Sequence, residues 1–511
     1  MLAFAHSAAI AGIDAYVVRV ESDSGAGTPA FHIVGLPDRA LNESRDRVRS
    51  AIINSGFGFP PGQLLVNLAP ADLRKSGVGF DLAVALTLLA TDEQLDRAAL
   101  REYLVCGELA LGGELRAVPG VLAMAIAARR AGFASIIVPE ANRDEAALVD
   151  GIDVYAVPTL ADAVAVVLGH GAPFRRRGST VLDSSDHAAV GDFADVRGQV
   201  LAKRALEIAA AGGHNVVLVG PPGCGKTMLA RRVPSILPSM TTAEALDVTK
   251  VYSIAGMLGT RPRVVSTRPF RAPHHTASRV SLVGGGSMPR PGEISLAQHG
   301  VLYLDELGEF PRSTLEVLRQ PLEEGTVTIA RAAGTHTFPA RFTLVASMNP
   351  CPCGFRGVRG SDCRCDDALV QRYLGKLSGP LLDRIDLHVT VSRVSFDELV
   401  QNGSAETSAE IRVRVEAARE RQTERLRDAG VPTNAAVPAA LVRRLCPLET
   451  EALALLEGAV TRGTLSARAF DRVARVARTI ADLANAPIVA RAHVAEALIY
   501  RGGVERPMPA A

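Results

Sequence analysis

Eight residues near the middle of the chain, Gly220-Pro-Pro-Gly-Cys-Gly-Lys-Thr227, carry the spacing G-x-x-x-x-G-K-T directly after the apolar run 216–219. Glycines at those positions let successive backbone N–H groups close around a β-phosphate, and the N-terminus of the helix that follows adds positive potential. Gly220, Pro221, Pro222, Gly223, Cys224 and Gly225 are thus the expected phosphate cradle. Lys226 is expected to pair with β/γ oxygens and the Thr227 hydroxyl to reach Mg²⁺. The chemistry implied is binding and hydrolysis of ATP.

About eighty residues on, an apolar strand-like run ends in Asp305 and Glu306. Asp305 is expected to orient the waters of the Mg²⁺, and Glu306 to polarise the attacking water. Asn349 closes another apolar run and would lie between the first two strands as a polar sensor of the γ-phosphate; an ordinary turn asparagine is the alternative. Arg384, in Leu-Leu-Asp-Arg-Ile-Asp386, precedes a further strand and would reach a neighbouring subunit's γ-phosphate, unless it pairs on the surface with Asp383 or Asp386. Arg468 opens a later helix and would contact the phosphates from the other side, or would be a plain surface arginine.

Four of the seven cysteines, Cys351, Cys353, Cys363 and Cys365, crowd into one Gly- and Arg-rich stretch just after Asn349. Four thiolates in a loop without a core of its own suit tetrahedral Zn²⁺. The C-x-C spacing departs from the commoner C-x-x-C knuckle, so free thiols or a redox pair stay open.

These residues need a scaffold. With 511 residues, 48% of them hydrophobic, the chain exceeds one compact core. Residues 1–169 alternate strand-like runs (15–20, 31–34, 64–68, 136–139) with helical spacing at 39–55, 82–89 and 121–131, an α+β pattern. Residues 170–192 break the periodicity and read as a linker. Residues 193–392 alternate buried strands with helices, as in a parallel α/β sheet with crossovers. From 393 to 511 the chain is almost strand-free; Ile411, Val415, Ala418 and Leu426 share a helical stripe, so this part reads as a helical lid. No run is long enough to span a bilayer, and the cysteine usage suits a reducing cytoplasm.

The strings Arg268-Pro-Phe-Arg-Ala-Pro-His-His-Thr276, Val283-Gly-Gly-Gly286, Pro291-Gly-Glu-Ile-Ser295 and Ser378-Gly-Pro-Leu-Leu-Asp-Arg384 resemble those of the YifB/ComM family of magnesium-chelatase-like AAA+ ATPases, over nearly the whole chain. The resemblance implies a hexameric ring, a hairpin inserted at about 327–343 before the sensor strand, and a relocated lid. Residues 68–77, with Gly107-Glu-Leu, Ala131-Gly-Phe and Val138-Pro-Glu-Ala-Asn142, are similar to the proteolytic domain of Lon proteases, a ribosomal S5 domain 2-like fold. On that alignment Gly79 stands at the serine position and Leu122 at the lysine position. A glycine is no nucleophile and a leucine takes no proton, so the resemblance implies an inactive platform. Lys75 and Ser76 are adjacent in sequence and would point apart.

The ComM side of the family implies a helicase driving branch migration during DNA uptake. Arg268, Arg271, His274 and His275, with Arg331, Arg341, Arg356 and Arg359, are the expected backbone-gripping groups, single-stranded or branched DNA the expected partner. Net charge is only +2, so any basic surface is local, and 4% aromatics with no Trp favour a grip on the backbone over base stacking. The arginine-rich stretch 410–427 interleaves Glu416, Glu420 and Glu424 and reads as a paired, solvated face. Competing readings are a metal-insertion motor of chelatase type, an ATP-gated scaffold, and an active protease, the last disfavoured by Gly79 and Leu122. The Lon-like domain argues against the chelatase reading, since it is not part of that subunit as usually drawn.

Overall fold

The computed structural model describes residues 2–36, 39–70, 75, 79–174, 191–259, 264–286, 289–331, 334–358, 362–394, 398, 405–463 and 465–501; of the side chains in these segments, those of 39, 40, 42, 331, 334, 467 and 468 are outside the description. Ser76, Arg359, most of the expected linker, and the side chains of Arg331 and Arg468 therefore lie outside the described residues.

The N-terminal part is a seven-stranded mixed sheet. Its strands run, in spatial order, Ala30–Val34, Gln63–Ala69, Asp14–Gly25, Ala3–Ala11, Tyr103–Val105, Ser135–Pro139 and Asp153–Val157. Helices Arg39–Asn54, Asp81–Thr91 and Val121–Arg130 cover it. Every residue of Asp81–Thr91 is buried, consistent with its near-continuous Leu, Val and Ala content.

The second sheet positions the site. Five parallel strands lie in the order Phe270–Arg271, Val301–Leu304, Thr343–Met348, Val216–Val219, Leu387–Thr390. Both faces are covered, which explains why the strands read as unbroken apolar runs. The two-residue strand period sends Val216, Leu218, Val301, Tyr303 and Val345 into one core, shared with helix Val200–Gly212 and the C-terminal helices. Val217, Val219, Leu302, Leu304, Leu344 and Ala346 enter the other, shared with the hairpin Thr326–Arg331/Gly334–Pro339. That hairpin occupies the place where an insertion is expected. Truncating one of these fully buried aliphatics would cost about 2–4 kcal/mol.

The C-terminal part comprises helices Ser408–Leu426, Ala439–Leu445, Thr450–Thr461, Ala467–Leu483 and Arg491–Ile499. Ile411, Val415, Ala418 and Leu426 are buried along one stripe. The arginines of Ser408–Leu426 differ from the expectation of a solvated, self-paired face. Arg412 donates to the Ser235 carbonyl, Arg414 to Glu207 and Glu406, Arg419 to the Ala210 carbonyl, and Arg425 to Asp482 and Asn434. Sequence spacing favoured i,i+4 pairs, but docking against the core gave these guanidinium groups closer partners.

The N-terminal part and the second part touch through the Asp14–Lys250 ion pair at 3.0 Å and a Ser253–Glu145 hydrogen bond, both to helix Thr242–Ala255, and through Ile13, which packs against the hairpin-side core. At Gly12, in the left-handed region, a Cβ would meet the Thr337 carbonyl oxygen at 2.3 Å, so the turn can approach the hairpin only without a side chain. Among the described residues no helix is long and apolar enough to cross a membrane.

Candidate nucleotide site

Parallel strands end at one edge, and here register decides which ends meet. Val219 lies opposite Met348, and Leu304 opposite Ala346. The residues just beyond, Gly220, Asp305, Ser347 and Asn349, therefore converge.

Helix Lys226–Ile236 starts from Gly225 in the left-handed region with no side-chain cap, leaving its first N–H groups directed into the loop. Gly220 approaches the neighbouring strand so closely that a Cβ would lie 2.2 Å from the Val391 carbonyl oxygen. Gln199 braces the loop by donating to the carbonyls of Cys224 (3.2 Å) and Ser392 (2.6 Å).

Lys226 Nζ donates to the Gly220 and Pro221 carbonyls at 2.6 and 2.8 Å, and to Asn349 Oδ1 at 3.2 Å. Burial pushes its ammonium below the ordinary lysine range, partly offset by Cys224, Asp305 and Glu306. A desolvated cation in a cradle of N–H groups gains strongly from an anionic partner.

Thr227 Oγ1 donates to Asp305 Oδ2 at 2.9 Å. Ser347 also donates to the Asp305 carboxylate, and the Glu306 amide donates to it at 3.0 Å. Burial alone would raise the pKa of Asp305, but these donors outweigh it and hold the carboxyl below its usual range. It is an anion poised beside a hydroxyl, the donor pair a hydrated Mg²⁺ uses. Sequence reasoning missed Ser347 and Tyr303, whose phenol donates to Ser347 (3.1 Å) and Thr227 (3.3 Å) and which burial keeps protonated.

Glu306 is exposed, and its carboxylate meets His275 Nδ1 at 3.1 Å. Arg384 lies elsewhere. The side chain of Asn215, the residue that precedes the phosphate-loop strand, donates to the Arg384 carbonyl at 3.0 Å. Gly220 is five residues further along, about 16 Å at the rise of a strand, so Arg384 and the phosphate loop stand at opposite ends of that strand. Its guanidinium pairs with Glu323 and the Pro380 carbonyl, not with Asp383 or Asp386, the partners of the alternative surface reading. Glu323 belongs to helix Arg319–Glu324, brought near only by tertiary packing.

Cys351, Cys353, Cys363 and Cys365 gather with all four sulfurs within 4.8 Å of one another. Three of the separations are 3.3, 3.6 and 3.8 Å. Sulfurs about 2.3 Å from a central zinc form a tetrahedron with edges of about 3.8 Å, so the donor set fits such an ion. The cluster adjoins the nucleotide site: at Gly354, φ +83°, a Cβ would lie 2.7 Å from Pro222 Cδ.

The expected DNA-gripping arginines are largely engaged internally. Arg268 donates to the carbonyls of Pro238 and His299 and pairs with Glu244 at 3.1 Å. Arg271 forks onto Glu293 at 2.6 and 2.8 Å, and Arg356 pairs with Asp367. Arg341 is exposed, as are Arg279 and Arg290, which sequence reasoning did not single out.

Strand order, phosphate loop and acidic strand end together fit an AAA+-like module. Family profiles agree: "Magnesium chelatase, subunit ChlI" matches residues 192–399, "Subunit ChlI of Mg-chelatase" residues 20–142, and "Magnesium chelatase, subunit ChlI C-terminal" residues 405–501. An uncharacterized protein of Mycobacterium tuberculosis is 45% identical over 498 residues, 97% of this chain and 98% of its own. Protein YifB of Escherichia coli is 44% identical over 503 residues (98% and 97%), and competence protein ComM of Haemophilus influenzae 44% over 511 (98% of each). The chain belongs to the YifB/ComM family of magnesium-chelatase-like AAA+ proteins. The match at 20–142 carries the chelatase subunit's own name, so the N-terminal domain no longer argues against a chelatase-type role.

Proposed function

We propose that this protein is a Mg²⁺-dependent ATPase that works as a hexameric ring and uses hydrolysis to remodel branched or single-stranded DNA. The observation that carries the ATPase reading is the convergence of Lys226, Asn349, Thr227 and Asp305 at one sheet edge. Lys226 holds β/γ oxygens, Thr227 and Asp305 hold Mg²⁺, Asn349 reads the γ-phosphate and Glu306 takes the proton of the attacking water. DNA as the substrate is supported by kinship with a competence protein and by the exposed Arg279 and Arg290 in the insert that follows strand Phe270–Arg271. The test is ATPase rate with and without a DNA junction across a salt titration: stimulation that fades as salt rises is expected. Indifference to every DNA would favour a chelatase-type or scaffold role, the former supported by the profile matches.

Arg384 acts in trans on this reading, because its own phosphate loop is at the far end of the neighbouring strand. Arg384→Ala should abolish most turnover in an assembled ring and regain it in mixtures with Glu306→Gln subunits, which still present an arginine. Mixtures that stay inactive would return Arg384 to a structural pairing with Glu323.

The four-cysteine loop holds a structural zinc that steadies Asn349 and the phosphate loop through Gly354 and Pro222. Purified protein should carry about one zinc per chain by mass spectrometry. Cys363→Ser should lose it and bind ATP several-fold more weakly; a wild-type chain free of metal would refute the assignment.

The N-terminal domain serves as an inactive Lon-like platform. Among the described residues, a Cβ at Gly79 would meet Val118 and Met124 within 4 Å, an apolar setting, and Leu122 is fully buried. Lys75 is buried and donates to the Pro70 carbonyl. The Leu122 amide donates to Glu145, the residue that bonds Ser253 of the ATPase core. The region that would hold a protease's lysine thus serves docking.

A further inference from the structure

The turn that follows the acidic strand end is held by a helix from further along the chain. Glu306 has φ 52°, a left-handed conformation unusual for a glutamate, and the Glu309 amide donates to its carbonyl at 2.7 Å, closing the turn Leu307–Glu309. Leu307 and Gly308 are buried, while Glu306 is exposed. At Gly308 a Cβ would lie 2.5 Å from Tyr373 Cζ and 2.6 Å from the phenol oxygen, so the turn presses on a ring that is itself buried. Lys376 Nζ donates to the Gly308 carbonyl at 2.8 Å.

Tyr373 and Lys376 form one unit. Tyr373 lies in helix Asp367–Leu374 and Lys376 in the turn after it, the Lys376 amide donating to the Tyr373 carbonyl at 3.3 Å. Asp366, next to Cys365, caps that helix by accepting from the Leu369 amide at 2.6 Å. Val370 and Tyr373 bury its inner face.

Two contacts of Lys376 differ in weight. Glu309 Oε2 lies 3.8 Å from Lys376 Nζ, but the side chains are 47% and 42% exposed, so this ion pair contributes little. The Gly308 carbonyl belongs to a buried residue, and losing the ammonium would strip it of that donor. A general base works only within a narrow geometry, and a misplacement of about 1 Å can cost about 10²-fold in rate. Because the Glu306 side chain is exposed, its place depends on how firmly the backbone beneath it is held.

We infer that Lys376 and Tyr373 are positioning residues that clamp the turn Leu307–Glu309 and thereby hold Glu306 at the attacking water. The inference rests on the ATPase reading above and deepens it, since both residues act through Glu306 without touching ATP.

The test is steady-state ATP hydrolysis by the full chain, with ATP affinity measured separately by a fluorescent analogue. Lys376→Met keeps the aliphatic stem and removes the donor; its kcat is expected to fall about ten-fold, with ATP affinity within about two-fold of wild type. Lys376→Arg, which keeps a donor at similar reach, should recover most of the rate. Gly308→Ala, which drives a Cβ into the Tyr373 ring, should show the same split between turnover and affinity. In a Glu306→Gln background Lys376→Met should cost nothing further, because the group it positions is already gone. A residue that merely supports the fold would lower affinity along with turnover and add its loss to that of Glu306→Gln. Wild-type kcat in Lys376→Met, or an additive loss in the double variant, overturns the inference; should Lys376→Met not fold, the same results with Gly308→Ala overturn it. A wild type that binds ATP without hydrolysing it would sink the ATPase reading, and the clamp with it.

Discussion

Glu306→Gln should retain ATP affinity within about two-fold and lose turnover by about 10²-fold or more, the usual scale of general-base removal. The amide is isosteric and leaves the phosphate loop untouched. The Glu306 backbone amide still donates to Asp305 at 3.0 Å, so the magnesium carboxylate keeps its orientation. What disappears is the anion that takes a proton from water. Filter binding of labelled ATP beside a phosphate-release assay separates the two effects. Normal turnover in this variant would show that another group activates the water.

Lys226→Ala should act on binding instead. The ammonium is half-buried and donates to the Gly220 and Pro221 carbonyls and to Asn349 Oδ1. Removing it takes a cationic partner from the β/γ oxygens of ATP. Losing one partner of a desolvated charge pair costs about 3 kcal/mol, or about 10²-fold in Kd. Titration with a fluorescent ATP analogue would report it, and an unchanged Kd would remove Lys226 from the phosphate site.

The phosphate loop can be read directly from the sequence because its chemistry is local: glycines, lysine and threonine at set intervals need only a strand before and a helix after. The acids at 305 and 306 and Asn349 are readable for a similar reason, since they are polar residues set just beyond buried apolar runs. Tyr303 and Ser347 are not, since their bonds to Thr227 and Asp305 exist only once three strands are in register. Likewise nothing in the spacing of Arg268 and Arg271 announces Glu244 and Glu293 as their partners, and a motif full of basic residues invites a nucleic-acid reading that the ion pairs largely consume. Strand Ala3–Ala11 is hidden for a different reason: six of its nine residues are Ala or Ser, which carry little intrinsic strand preference, and the sheet around them decides. Helix Ser408–Leu426 shows both sides, with an apolar stripe readable by period and arginine contacts set by the surface it meets.

The most direct test of the account is a structure of the Glu306→Gln protein with ATP and Mg²⁺. The expected result is a γ-phosphate between Lys226 and Asn349, with a magnesium ion bound by the Thr227 hydroxyl at about 2.1 Å and Asp305 holding its waters. A triphosphate bound away from the 220–227 turn, or a magnesium ion out of reach of both Thr227 and Asp305, would contradict it.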